Sequence, residues 1–532
     1  MKQLRIPEID QMICEIRKRI SAKDRKVFLT AFIAAVVFYF PMLTAWLGNP
    51  DSFWNGMVYK NGSAWENRLG RFGITPIYKL KEYIISPAFS SLFCFCMLAL
   101  ICVLLVRLFE VNRRWLIICM ILIVELTPSV MSTLTYYYCS DIYFLAYFLN
   151  VMAVYLLTVG KSKSCFPISV LMMAYAISCY QAYISVAITL CLLIIWKLLM
   201  EGKESPQYIV RLLCRYMAAG ISAGLVYLGV FKLLQVVFEI EPAGKFVFPR
   251  LGDLFGLTVN TYRYSIAYFF TNGFLYNVWG GRKYWNAAFA LFTFLILVVY
   301  VLRNRQKRLY YIAATACMFC LPIALFLVTI IAPGGDIFGT TGILTIPAMN
   351  FVYLLPVILL SMSGWRLEWN VGRLLEWAGG VLYVKIILLL VSFTAAFQGY
   401  MQLNFNRMCS LAGEVTAQIM TVESETSESS DELPVVFAGK LQEIDYHNVL
   451  IDVVGGTTAE HKMIWESYSG SQQSWMYFLR HITGKGYETV PEEKYQDIIR
   501  TDTFQQMPLF PADGSVKEID GIIVVKLSNE NG

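Results

Sequence analysis

Carboxylates, guanidinium groups and indoles crowd into one stretch of this chain, residues 49–86. Asp51 opens it, Trp54, Trp65 and Glu66 follow, and Arg68, Arg71, Lys79 and Lys81 come next. Such a set can do two things. An ionised carboxylate can take a proton from a hydroxyl, and guanidinium groups can grip a phosphate through paired hydrogen bonds. Asp51 comes just after an apolar run, where a carboxylate can stay ionised yet shielded enough to act as a base. The same residue is a favoured N-cap, here for a helix beginning at Ser52, and the sequence leaves both roles open. Glu66 and then Asp141 are the carboxylates next in line. Arg68 and Arg71 stand three apart, a spacing that can place both on one helical face and over one phosphate; attraction to anionic lipid headgroups accounts for them equally well.

Two aromatic patches add to the set. One runs Tyr136-Tyr137-Tyr138 to Asp141 and Tyr143, the other Ser178 to Tyr183 through Tyr180 and Gln181. Tyrosines are ordinary at a membrane–water interface. Asp141 and Gln181 are less ordinary at that depth, and aromatic faces beside a carboxylate and an amide suit a sugar ring and its hydroxyls. The three histidines, His447, His461 and His481, all lie beyond residue 440. A histidine-ligated zinc or a Ser–His unit among the apolar runs is thereby excluded, and acid–base work there falls to carboxylates. No metal-ligand spacing and no cofactor motif is present. Cys317 and Cys320 match C-x-x-C, but inside an apolar helix, and read as packing. Glu125, mid-run, is expected to face the interior and hydrogen-bond a neighbouring helix.

The elements that must position these residues are membrane helices. The chain is 57% hydrophobic and 15% charged, against about 45–50% and 25% in soluble proteins, with a mean hydropathy of +0.54. Apolar runs long enough to cross a bilayer recur near 27–47, 89–108, 115–134, 142–160, 165–182, 184–200, 216–238, 287–302, 309–331, 348–363 and 374–398, about eleven in all. Basic residues cluster in alternate loops: the N-terminal segment, Arg107 to Arg114, Lys161 and Lys163, Lys203 to Arg215, Arg303 to Arg308, and Arg366 with Arg373. The loops 133–141 and 332–347 have no Lys or Arg. Cations mark the cytoplasmic side, so the N-terminus is expected inside and, after an odd number of crossings, the tail outside. The net charge of +6 is topogenic and calls for no nucleic acid. Residues 1–26 carry no cleavable signal and read as an amphipathic helix on the inner leaflet.

Within the membrane part, 27–398, two long outer connections stand out: 48–88 and 239–286. Helix–helix loops usually span about two to eight residues, so both are functional candidates. In the second, 258–270 reads as an interfacial or re-entrant helix. The tail, 399–532, changes composition. A helical stretch at 403–420 leads to an acidic, Ser-rich loop at 423–432. Strands are expected at 433–438, 448–454 and 521–527, helices at 474–482 and 491–500, and a turn at Asp513-Gly514. The fold class is a polytopic α-helical membrane protein with a small extracytoplasmic C-terminal α/β domain.

Read together, these pieces resemble the Gtr-type family II glucosyltransferases, multi-span sugar transferases of the GT-C class. The resemblance rests on Asp51 after the first span with Trp65…Gly70-Arg71 beyond it, on Tyr138…Ser140-Asp141…Tyr143, and on Tyr180-Gln181-Ala182-Tyr183. The tail adds Val435 to Gly439, Met507-Pro508, Gly514 to Lys517 and Ile523 to Leu527. The family pattern has a paired acid in the first loop, where Pro50-Asp51 offers one carboxylate. The resemblance implies a GT-C-like membrane domain that moves a sugar, glucose by family, from a polyprenyl-phosphate carrier to a cell-surface polysaccharide or lipid-linked glycan on the outer face. Asp51 or Glu66 would then be catalytic, and Trp65, Arg68, Arg71, Tyr138, Asp141, Tyr180 and Gln181 would bind substrate. Cationic side chains make a metal unnecessary. A transporter or flippase, or a polymerase of lipid-linked glycans, is the alternative.

Overall fold

Prolines and glycines decide where the apolar runs become separate helices. The computed structural model describes residues 20–49, 52, 64–81, 85–243, 250–272, 282–304, 308–331, 342–362, 370–426, 433–439 and 468–529. Most of the expected N-terminal surface helix lies outside them. Helix α1 (Ala22–Phe38) starts at a capping box, in which Ser21 and Asp24 satisfy each other's backbone N–H groups. It gives way to a short helix, Phe40–Thr44, with Pro41 in its first turn. The run expected as one span at 27–47 is therefore interrupted.

Then follow α2 (Pro87–Leu108), α3 (Arg114–Glu125), α4 (Pro128–Leu134), α5 (Ser140–Val159), α6 (Cys165–Cys179), α7 (Ile184–Glu201) and α8 (Pro206–Val237). Next come α9 (Leu254–Ala267), α10 (Arg282–Arg303), α11 (Arg308–Leu325) and α12 (Asn370–Thr426). Seven helices among the described residues are long and apolar enough to cross a membrane. Helices α3 and α4 meet at a 47° bend and make an eighth if counted as one; Pro128 opens the second half. Helix α6 and the 347–361 stretch are apolar but shorter. Along α8, Val210, Leu213, Met217, Ile221, Leu225, Leu233 and Val236 are exposed, an apolar flank that only a lipid environment tolerates. This is a polytopic, helical membrane protein.

Polar groups lock the end of the bundle opposite the aromatic patches. Arg107 forks onto Asp24, Nε to Oδ1 at 2.9 Å and Nη2 to Oδ2 at 2.6 Å. That contact holds the Asp24 carboxyl at about 2, below its usual value. Lys197 pairs with Glu110 at 2.8 Å, and Arg113 with Glu376. Glu125 is fully buried as expected, but the interhelical bond is made by its carbonyl, which accepts from Tyr39 Oη at 2.6 Å. Its carboxylate oxygens have no partner among the described residues. The 258–270 stretch is helical, through α9 and into a π-helical turn, Tyr268–Asn272, with Thr261 and Thr329 sharing a hydroxyl bond of 2.6 Å.

Helix α12 is 57 residues long. Tyr383, Ile386, Leu390 and Phe393 sit in the membrane core, while Met408, Ala412, Val415 and Ile419 join a second core with Val435, Phe437 and Trp475. No break in the helix marks residue 398, and its last turn takes in the first residues of the acidic stretch. Strands β1 (Val435–Ala438), β2 (Val516–Ile519) and β3 (Ile522–Lys526) form one sheet in the order β1-β3-β2. The β1–β3 pair is parallel and the β2–β3 pair antiparallel. Alternate residues of β1 and β3 point to opposite faces. One face meets α12 and α13 (Tyr468–Thr483), with Phe437 stacked on Trp475 at 4.6 Å; the other meets Tyr495, Ile498 and Ile499 of α14 (Glu492–Ile499). Asp520 and Gly521, both at positive φ, make the tight β2–β3 turn. Asp-Gly between apolar runs was a readable hairpin signal, and β2 is the strand missing from the sequence expectation. The strand expected at 448–454 lies outside the described residues.

Candidate active site

Two pieces of the first long loop seat themselves on the same end of the bundle. Chain direction brings the starts of α5 and α7 and the ends of α6 and α8 together there. The first piece follows the Phe40–Thr44 helix. Trp46 packs edge-on to Tyr137, with ring centroids 5.3 Å apart. Asn49 N–H donates to Thr135 O at 3.0 Å, and Ser52 Oγ to the same carbonyl at 2.6 Å. Gly48 allows this approach, since a Cβ there would lie 2.1 Å from the Tyr137 ring. Ser52 N–H donates to Asn49 Oδ1 at 2.9 Å, the bond an N-cap makes to its third helical residue. Capping at this turn is thus met by Asn49. Asp51 lies outside the described residues.

The second piece carries Trp65, Glu66, Arg68 and Arg71. The short helix Ala64–Arg68 stops at Arg68, and Gly70 takes a left-handed turn with φ +75°. The shared helical face expected for Arg68 and Arg71 therefore does not form. Arg68 turns outward: its Nε donates to Glu241 O at 3.1 Å, and its own carbonyl accepts from Ala243 N–H at 2.9 Å. It ties the first long connection to the second. Arg71 turns inward, its guanidinium 4.7 Å over the Tyr180 ring and its Nη1 3.2 Å from Tyr143 Oη, to which it donates.

Tyr143 and Tyr180 stack at 4.5 Å, so Arg71 is fixed by rings that are themselves fixed. Its Nε is a buried donor with no partner among the described residues. Burial works against the Arg71 charge. The oxygens of Tyr143, Tyr180 and Tyr138 and the Glu66 carboxylate more than offset that, and hold its pKa above the ordinary arginine value. Glu66 is buried at 5% exposure, and its carbonyl accepts from Arg71 N–H at 2.7 Å.

The backbone between Leu69 and Gly73 is held by four neighbours. Gln181 Nε2 donates to Leu69 O at 2.8 Å and to Tyr227 Oη at 3.2 Å, and Tyr227 Oη donates to Gly70 O at 3.1 Å. Tyr175 Oη donates to Gly73 O at 2.9 Å, while Gly73 N–H reaches Ser178 O at 2.9 Å. Gln181 thus spends its amide on the loop, and Tyr180 its ring on Arg71. Both position the arginine. Asp141, in the first turn of α5, forms an ion pair with Lys81 and accepts from Ile142 N–H at 2.9 Å. Trp65 remains half-exposed, with Arg68 5.9 Å over its ring.

The structure therefore gathers Glu66, Arg71, Tyr138, Tyr180 and Gln181 into one cluster, ties Asp141 to the same loop through Lys81, and leaves Trp65 and Arg68 at the rim. Tyr227 escaped the sequence reading. It continues the buried stripe Ile209, Leu212, Tyr216, Ala219 and Ala223 of α8, so its sequence pattern reads as helix packing, and its partner lies 157 residues away. Tyr175 escaped it too, its partner Gly73 lying 102 residues away.

A protein-family model described as glucosyl transferase GtrII matches residues 40–355. The chain belongs to the GtrII glucosyltransferase family. The match spans more than half the sequence, from the foot of the first long loop to the start of the 355–361 helix, and contains every residue of the cluster. The tail beyond α12 lies outside it. No curated protein and no solved structure matches the chain. Family membership makes this protein a glucosyltransferase, with a sugar donor and an acceptor to accommodate.

Proposed function

We propose that this glucosyltransferase takes glucose from a polyprenyl-phosphate carrier and transfers it, with inversion, to a cell-surface glycan on the outer face of the membrane. Glucosyl transfer itself follows from the family; carrier, face and mechanism are the proposal. The observation that carries it is Arg71: a charged guanidinium, clamped by Tyr180 and Tyr143, with a buried Nε donor that has no partner among the described residues. A preorganised cation with unspent donors suits a leaving phosphate, because no reorganisation is needed as charge develops. The cluster lies at the mouth of the bundle, where the phosphate of a lipid carrier would sit. Nucleotide sugars do not occur outside the cytoplasm, so a transferase working there needs a lipid-borne donor. The charge pattern of the loops supports that orientation.

In this scheme a carboxylate, Asp51 first and Glu66 second, takes the proton of the acceptor hydroxyl. The freed oxygen bonds to C1 of glucose, the C1–O bond to phosphate breaks, and the lipid phosphate leaves with that electron pair under Arg71. Asn49 already caps the turn at Ser52, which supports a chemical role for Asp51. Trp65, half-exposed at the rim, offers part of its ring surface to a sugar. A flippase or polymerase has no comparable support from the family.

The test is Arg71→Ala against Arg303→Ala, whose arginine ends α10 in a basic cluster. Loss of a preorganised donor should cost about a hundredfold to a thousandfold in kcat with the lipid donor. Arg303→Ala should stay near wild type at matched expression. Equal effects would reduce Arg71 to a membrane anchor.

A further inference from the structure

The end of α13 meets the mouth of the bundle. His481 lies against Trp46, ring centroids 4.3 Å apart, and Trp46 packs on Tyr137 five residues before Asp51. Burial in this contact pushes the His481 imidazole below its ordinary pKa, so it docks as a neutral ring. One residue earlier, Arg480 forms the lip of a cleft of about 680 Å³. Successive helical residues point about 100° apart, so the cleft and the docking contact occupy neighbouring faces of the last turn of α13.

The lining of that cleft is mixed in a definite way. Tyr477 and Tyr487 supply ring surface, Arg480 and Lys485 supply donors, and Glu488 supplies a carboxylate. Gly484, at φ +76°, ends α13 and turns the chain back so that residues 485–488 form the opposite wall. A Cβ at Gly486 would lie 3.2 Å from Arg480 Cδ, so the arginine stem rests on that glycine. Lys485 is held by Glu423 from α12 and lies 5.1 Å over the Tyr487 ring. Helix α12, rising out of the bundle, thereby fixes one wall, and Trp46 fixes the other through His481.

We propose that this cleft binds the acceptor glycan, a hydroxyl-rich saccharide chain, and presents its end to the mouth of the bundle at Trp46. The proposal rests on the glucosyltransferase reading above. Ring faces beside donors and an acceptor are what pyranose rings and their hydroxyls require, and a lipid-borne donor would approach from the membrane instead. A charged fork is also better spent on a polar ligand than on an apolar one.

Direct binding tests it. The full-length chain in lipid nanodiscs is titrated with oligosaccharide fragments released from the surface polysaccharide of the producing cell. Arg480→Ala should weaken binding about tenfold, the value of one charge-assisted contact. Arg480→Lys should recover part of this, and Lys517→Ala, on the exposed side of β2, should bind as wild type does. Tyr477→Ala, which leaves every charge in place, should also weaken binding. Equal binding by wild type, Arg480→Ala and Tyr477→Ala overturns the proposal, as does absence of fragment binding by the wild type. Glucose transfer measured in parallel separates the two claims: its absence would sink the lipid-donor reading, while the binding comparison still decides this one.

Discussion

In the proposed reaction, Asp51 and Arg71 divide the chemistry between a group that removes a proton and a group that receives a phosphate. Arg71 owes its role to placement. Gly70 turns the chain, Tyr180 and Tyr143 hold the guanidinium, and Glu66 lies close enough to support its charge. Spacing alone paired Arg68 with Arg71; the left-handed turn at Gly70 sends one to the second long connection and the other into the site. Asp51 is tested by Asp51→Asn, which keeps the shape and capping ability of the side chain but removes its charge. Loss of a general base should slow transfer about a hundredfold to ten-thousandfold, with membrane level and folding near normal. Near-full activity in Asp51→Asn would move the search to Glu66 and then Asp141.

Among the elements, the loop segment 64–81 is a fitted part of the bundle. It is pinned by α6, by the 180–183 connection and by α8, and Gly70 is one of two glycines where that fit is tight, with Gly73 the other. A Cβ at Gly70 would come within 2.4 Å of Tyr227 Oη at a backbone φ of +75°. Gly70→Ala should therefore combine left-handed strain of about 1–2 kcal/mol with a steric clash, lowering the thermal midpoint in detergent by several degrees. Tyr227→Phe in the same chain should restore part of the loss by removing the clashing oxygen. No recovery would assign the whole effect to the backbone.

The helical runs, the buried strands β1 and β3 and the three motif stretches were legible because each is a local pattern. The interruption after Phe38 and the 47° bend before Pro128 follow from proline chemistry within runs that hydropathy alone reads as continuous. What was not legible is pairing at a distance. Tyr227 with Gly70, Lys81 with Asp141 and Trp46 with His481 are set by packing, and none leaves a periodic trace in the sequence.

At the scale of the whole molecule, one 57-residue helix links the membrane core to the sheet of the tail, and the tail returns to the mouth of the bundle at Trp46. This arrangement requires the sheet and the Arg71 cluster to share one side of the membrane. With that side outward, as proposed from the loop charges, an external protease should clip the acidic 423–432 stretch in intact cells stripped of their wall. Cleavage only after permeabilisation would invert the orientation. The most direct measurement supplies the purified chain in liposomes with radiolabelled glucosyl polyprenyl phosphate or with labelled UDP-glucose, and with surface-glycan fragments as acceptor. Label should pass from the lipid to the glycan with release of polyprenyl phosphate, and UDP-glucose should remain unused. Transfer from UDP-glucose with the lipid donor untouched would contradict it.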